Sequence, residues 1–199
     1  MKWMAAALLA AFVQETKGED LAPLKEGTKW TYVTEGSEFT MKVSGREKVG
    51  DVECTVIETT VKDKQEQEHT QKEYFAVTKE GLKSYRITAG TRTVDSSPPV
   101  LRIKFPLKKG DSWEWSGKQG EREQKASFSN EGEEEIKTPA GTYKAWKIVA
   151  VIEQQDGASS TAAYWYAPGV GLVRQDVSMN LRGKLVKLTT ELKSFEAGK

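Results

Sequence analysis

Pro23-Leu24-Lys25-Glu26-Gly27-Thr28-Lys29-Trp30-Thr31-Tyr32 returns further along the chain as Pro106-Leu107-Lys108-Lys109-Gly110-Asp111-Ser112-Trp113-Glu114-Trp115. In each copy a proline fixes φ and ends the preceding run, and a glycine allows a tight turn. An aromatic pair then falls at alternate positions of what reads as a strand, so that both rings share a face. Two more blocks follow in the same order. Val49-Gly50-Asp51-Val52 corresponds to Ala140-Gly141-Thr142-Tyr143, with Ile57 and Val61 falling on Ile148 and Ile152. Glu73-Tyr74-Phe75-Ala76, with Gly81-Leu82 after it, corresponds to Ala163-Tyr164-Trp165-Tyr166, with Gly171-Leu172 after it. Three matched blocks in one order define an internal repeat. The offset grows along the chain, so the second copy is expected to carry a longer excursion at the acidic segment Asn130–Lys137.

Around these blocks, short runs rich in Val, Ile, Thr, Tyr and Trp alternate with turn signals. Strands are expected at 27–34, 37–46, 52–63, 69–79 and 81–87. After a break they resume at 100–105, 111–117, 123–129, 132–137, 143–154, 159–167, 171–181 and 184–194. No window past the first residues has a helical period, so crossover helices are missing and the sheet is expected to be antiparallel. The chain has 37% hydrophobic and 30% charged residues, the balance of a sheet with one buried and one wet face. Thr88–Pro99, with Gly90, Ser96, Ser97 and Pro98-Pro99, has linker chemistry. Each copy, 23–87 and 106–177, is small and has no staple, so independent stability would be marginal. The expectation is an all-β single domain over 21–195: a curved antiparallel sheet or partly open barrel built from two sequence-related halves.

Met1-Lys2 followed by the apolar run Trp3–Val13 and then Gln14-Glu15-Thr16-Lys17 reads as a signal peptide over 1–13, too short to span a bilayer. It implies a periplasmic or secreted protein with no transmembrane segment in the mature chain. Cys54 is the single cysteine, which rules out an intrachain disulfide and multi-thiolate zinc sites. The net charge of +1, with both signs interspersed, offers no surface for nucleic acid.

Few residues point to chemistry. His69, the only histidine, sits among Gln, Glu and Lys and reads as a solvated position. No Gly-x-Ser-x-Gly elbow exists for a serine hydrolase. Glu133-Glu134-Glu135 lacks the spaced oxygens of a calcium loop. Pro168-Gly169 suits a type II turn, and no helix follows to make it a phosphate cradle. No metal, cofactor or catalytic residue is assigned. A carboxylate-pair hydrolase needs two acids that meet in space, which sequence does not test.

The expectation is therefore a non-enzymatic envelope protein. Its concave, aromatic-lined face would bind a hydrophobic small molecule or lipid, or a partner chain such as another envelope protein. The candidate lining is Trp113, Trp115, Trp146, Tyr164 and Tyr166. The alternative is a structural domain that pairs through its sheet edges.

Phe105-Pro106-Leu107 with Gly110 and Trp113, Pro139-Ala140-Gly141-Thr142-Tyr143, and Tyr164-Trp165-Tyr166-Ala167-Pro168 with Gly171-Leu172 resemble an exported bacterial family of unknown function, the one catalogued as domain of unknown function 3108. The resemblance covers mainly residues 100–195 and brings no catalytic residue with it. It implies an architecture similar to the half-barrels of periplasmic lipoprotein carriers, an analogy of fold alone.

Overall fold

The structure, a computed structural model, describes residues 18–62, 65–154, 158–181 and 184–199. The expected leader, 1–13, lies outside them. A single 3-10 turn, Gly18–Leu21, precedes twelve strands. In the first half these are β1 (Lys29–Thr34), β2 (Ser37–Val49), β3 (Val52–Lys62), β4 (Glu68–Thr78), β5 (Gly81–Ala89) and β6 (Arg92–Lys104). The second half holds β7 (Ser112–Gln119), β8 (Arg122–Thr138), β9 (Gly141–Gln154), β10 (Ser159–Ala167), β11 (Gly171–Leu181) and β12 (Lys184–Glu196). Each strand pairs antiparallel with the next, and β12 returns to β1, so the sheet is a closed barrel. The all-β antiparallel expectation holds, and the sheet goes further than a curved or partly open one by closing on itself.

Period-2 alternation drives the strands. In β1, Trp30 and Tyr32 are buried while their neighbours are half-exposed, and in β8 Ala126, Phe128 and Asn130 are buried between exposed or half-exposed residues. Burying a side chain as large as Tyr32, 1% exposed, stabilises by roughly 1.5–3 kcal/mol.

The duplicated loop has a shared job. Gly27 donates its backbone N–H to Val43 O (3.0 Å), and Val43 donates back to Thr28 O (2.8 Å). In the second half Gly110 donates to Asn130 O (2.7 Å) and Asn130 to Asp111 O (2.8 Å). Each Pro-Leu-Lys-x-Gly loop is thus clamped onto the strand that comes two later, just before that strand's β-bulge. The bulges lie between Val43 and Gly45 and between Asn130 and Gly132.

Matching bulges fix the repeat more finely than the sequence blocks. Gly45 and Gly132 coincide, as do Ile57 and Ile148, and the bulge between Tyr74 and Phe75 coincides with that between Trp165 and Tyr166. Tyr74 is therefore the counterpart of Trp165, and the block match that set it on Tyr164 slips by one residue. Such a slip moves a side chain to the other face of the sheet. The extra length of the second copy lies only partly where expected. The offset steps from 83 (Trp30 to Trp113) to 87 (Gly45 to Gly132) and then 91 (Ile57 to Ile148). The added residues lengthen the β7–β8 and β8–β9 hairpins, and Asn130–Lys137 runs through the β8 bulge into the first arm of the second of these. For the same reason 123–129 and 132–137 form one strand bent at a bulge.

Thr88–Pro99, expected as a linker, runs through the end of β5, the Gly90-Thr91 turn and β6. Proline is tolerated in that strand because Ser96–Pro99 have no partner on β5: the register jumps from Arg86↔Asp95 to Ser84↔Val100.

The barrel's inner face is largely apolar, while its outer face carries ion pairs such as Arg86–Asp95 and Arg174–Asp176. This polarity is the reverse of a membrane barrel, whose apolar band faces outward. Among the described residues no helix is long and apolar enough to cross a membrane.

Candidate functional site

A cavity of about 350 Å³ lies inside the barrel, walled mainly by β1–β4 and β10–β12. Leu21–Leu24 cross its lower end, where the chain enters and where the β4–β5 and β10–β11 turns lie. Asp20 O accepts the backbone N–H of Gly169 (2.7 Å) and Trp30 Nε1 donates to Val170 O (2.6 Å), which ties that end to the β10–β11 turn. Leu21 is 1% exposed, so this segment is a fixed stopper and not a loose tail.

The lining changes character along the barrel. On β3 it passes from Ile57 to Thr59, on β4 from Phe75 through Glu73 to Gln71, on β11 from Leu172 to Gln175, and Thr190 of β12 joins Gln175. All of these steps point toward the end carrying the β1–β2, β5–β6 and β7–β8 turns. The cavity is therefore apolar at the Leu21–Leu24 end and mixed at the other, where Phe39 of β2 stands beyond Thr59 and Gln71.

Between the two ends stand Glu73 and Arg102, 3.7 Å apart, each side chain 21% exposed. Their neighbours in sequence, Tyr74 and Leu101, belong to the opposite alternation. Arg102 reaches the lining through a bulge: Leu82 pairs with Ile103 and Lys83 with Leu101, which leaves Arg102 as the extra residue. Bulges commonly re-aim a side chain in this way. Burial pushes the Glu73 carboxyl above its ordinary value, with the Arg102 charge opposing. Burial likewise pushes the hydroxyls of Tyr166 and Tyr32 well up, helped by Tyr164 at the first and Tyr166 at the second.

Of the five aromatic residues singled out from the sequence, Tyr164 and Tyr166 line this cavity, their rings 6.2 Å apart and stacked. The three tryptophans lie outside the lining. Trp113 stacks on Phe128 at 5.4 Å and 5°, and Trp115, 7% exposed, belongs with Val100, Ala126, Phe128, Ile148 and Ala150 to a second core cluster. Trp146 packs on the main core, its buried indole N–H without a hydrogen-bond partner among the described residues. The region around β7–β9 is thus packed solid, while the hollow lies between β1–β4 and β10–β12. The lining residues that the five candidates omit include Trp30, Tyr32, Glu73 and Arg102. Trp30 and Tyr32 carried the signal in the first copy of the repeat. Arg102 carried none, because alternation assigns it no face until the bulge is known.

On the opposite face the repeat sets up a second matched arrangement. Tyr74 donates its hydroxyl to Glu47 (3.2 Å) beneath Arg86, whose guanidinium forks onto Asp95 at 2.5 and 2.9 Å. Its counterpart Trp165 donates Nε1 to Glu134 (2.5 Å) beneath Arg174, which forks onto Asp176 and reaches Glu191. Lys147 covers the same indole at 5.2 Å. These are staples over outward aromatics, and Glu134 of the acidic run has its place there. Cys54 lies on this face, fully buried, its thiol pushed up by burial with Arg86 opposing. His69 is exposed on β4. Among the described residues no group of three His, Cys, Asp or Glu could hold a metal ion.

A second hollow, about 660 Å³, is bordered by Ser97, Lys118, Glu123, Lys125 and Glu153, all exposed, and reads as an open polar surface.

Residues 125–190, from β8 into β12, match the model of a family described as DUF3108-like. The match bears out the resemblance carried by Pro139–Tyr143 and Tyr164–Leu172. No curated protein matches the chain. Among solved structures, a Parabacteroides distasonis protein described as a lipoprotein is 16% identical, with a TM-score of 0.46 over 87% of this chain and 97% of its own. An exported protein with a YmcC-like fold from Bacteroides fragilis is 14% identical, with a TM-score of 0.45 over 86% and 96%. The hypothetical lipoprotein YmcC from Escherichia coli is 9% identical, with a TM-score of 0.44 over 92% and 91%.

Proposed function

We propose that this is an exported, non-enzymatic barrel that binds a hydrophobic small molecule in its interior. The observation that carries the reading is the cavity itself. It is walled by Trp30, Tyr32, Phe75, Tyr166 and Leu172, stoppered at one end by Leu21–Leu24 and mixed in polarity at the other. Its volume, about 350 Å³, falls within the range of roughly 300–1,000 Å³ of small-molecule sites. Export rests on the apolar run Trp3–Val13 behind Lys2.

Two features weigh against the alternatives. A two-carboxylate hydrolase needs a second acid facing the first, and among the described residues the lining of this cavity holds one, Glu73. Edge pairing with a partner chain needs a free strand, and closure removes the edges except along β6 and β7.

Titration of the chain with N-phenyl-1-naphthylamine, followed by the dye's fluorescence, tests the reading. Saturable enhancement, reversed by a long-chain competitor and reduced in Leu172→Trp, is expected because the added ring fills the cavity. An unchanged dye spectrum at every concentration would remove the binding role.

A further inference from the structure

We propose that the cavity takes a single-chain amphiphile with a carboxylate head, the head bonding to Arg102 and the chain lying toward Leu21–Leu24. This names the ligand chemistry of the site described above and rests on reading that cavity as a binding site.

Size selects the chain count. At about 350 Å³ the cavity sits near the small end of ligand sites, with room for one chain and none for a lipid of two. The polarity of the lining sets the orientation. Phe75 and Leu172 border the stoppered end, while Gln71, Gln175 and Thr190 share the other with Phe39, so a molecule with its polar end away from the stopper matches the lining.

Arg102 selects the head. Its guanidinium offers five donors in a fork suited to a carboxylate. Glu73 does not occupy that fork, because 3.7 Å exceeds the roughly 2.7–2.9 Å of a charge-assisted hydrogen bond. A bulge in β6 interrupts the ladder at Arg102, so a charged group is aimed into an apolar interior and left incompletely bonded. A ligand carboxylate completes it.

Two carboxylates beside one guanidinium cannot both stay ionised cheaply, so Glu73 takes a proton from solvent as the ligand binds. The other charged or titratable groups of the lining are Arg102 from β6, Tyr164 and Tyr166 from β10 and Tyr32 from β1. Burial already raises the Glu73 pKa and holds the Tyr32 and Tyr166 hydroxyls protonated, so the proton goes to Glu73. Binding of a carboxylate then weakens as pH rises above the Glu73 pKa.

Isothermal titration of the full chain with tetradecanoate, 1-tetradecanol and tetradecyltrimethylammonium, each below its micelle concentration, tests the assignment. Tetradecanoate is expected to bind about tenfold or more tighter than the alcohol, with net proton uptake seen as a buffer-dependent heat. Arg102→Gln should bring that ratio to near one. Should the single variant unfold because Glu73 is left unpaired, the double variant Glu73→Gln with Arg102→Gln carries no buried charge and gives the same ratio. Glu73→Gln alone should tighten tetradecanoate binding and abolish the proton uptake. An alcohol or ammonium that binds as tightly as the acid, or acid binding indifferent to the loss of Arg102, overturns the head-group assignment while the cavity remains a site. If none of the three probes binds, the cavity reading falls with it.

Discussion

Where β12 meets β1, residues pair in register from Lys29 opposite Glu196 to Thr34 opposite Thr190, with a single bulge. Where β6 meets β7, the pairing is confined to Ser96 opposite Gln119 and Ser97 opposite Lys118. Both seams join the same two halves, and the sequence motif that opens β1 also opens β7. The difference comes from Pro98 and Pro99, which have no N–H to give to a ladder. Side chains do the joining instead: Trp115 Nε1 donates to Pro98 O and Trp113 Nε1 to Leu101 O, both at 2.9 Å. At the other seam the equivalent rings are free for the interior, and Trp30 and Tyr32 reach across to Val170 O and Leu172 O. One duplicated aromatic pair stitches a weak seam, while the other helps wall a cavity.

The largest effect is expected at Gly117. A Cβ there would stand 2.5 Å from Ser97 O and 2.7 Å from the Pro98 ring, so any side chain forces β6 and β7 apart. Gly117→Val should cost about 3 kcal/mol, read as a lowered midpoint in urea. Thr31→Val at the laddered seam should stay within about 0.5 kcal/mol. Equal losses at the two positions would show that the seams do not differ in tolerance.

Removing one stitch comes next. Trp115→Phe keeps a six-membered aromatic ring but loses the five-membered ring and its donor to Pro98 O, at a cost of about 2–3 kcal/mol. Hydrogen exchange should quicken in β6 near Val100 and leave β1 unchanged. Uniform quickening around the barrel would mean that the indole bond supports the whole fold and not that seam.

Gly171 lies at φ +90°, and a Cβ there would meet the Pro23 ring at 3.2 Å, against the stopper of the cavity. Gly171→Val should cost about 1–2 kcal/mol through strain in the left-handed region. Because Pro23 must give way, dye binding in the cavity should weaken along with stability. Wild-type stability would show that the stopper is more yielding than its burial implies.

Much of this architecture was legible in the chain. Alternating Val, Ile, Thr and aromatic residues marked nearly every strand, and the repeated Pro-Leu-Lys-x-Gly-x-x-Trp marked the two halves. What escaped was set by bulges and pairing partners. Periodicity could not show that Arg102 turns inward, since one extra residue reverses the alternation. It placed Tyr74 opposite Tyr164 for the same reason. The proline pair read as a linker because local chemistry does not reveal that β6 has no ladder partner at that point. Trp113 and Trp115 were expected to line a concave face, but a tryptophan carries both an apolar body and a donor. Sequence alone did not say that the donors would be taken by β6 carbonyls.

The smallest expected effect lies at Asp95, one residue before the paired serines of the weak seam. Arg86 grips it at 2.5 and 2.9 Å, and that bond holds the carboxyl below its ordinary value of 3.8. A depressed carboxylate pKa adds stability that is present above the ordinary value and disappears as pH falls through the folded one. The Asp95 side chain is 53% exposed, however, so solvent screens most of the gain. Asp95→Asn should therefore cost no more than about 0.5 kcal/mol at neutral pH. The melting curves of variant and wild type should begin to converge as pH falls below 3.8 and coincide once it passes the lower folded-state pKa, and high salt should narrow the gap at neutral pH. A larger loss, insensitive to salt, would mean that the fork holds β5 to β6 mechanically where the four residues after Asp95 leave the ladder. The weak seam would then depend on its neighbour as well as on its tryptophans.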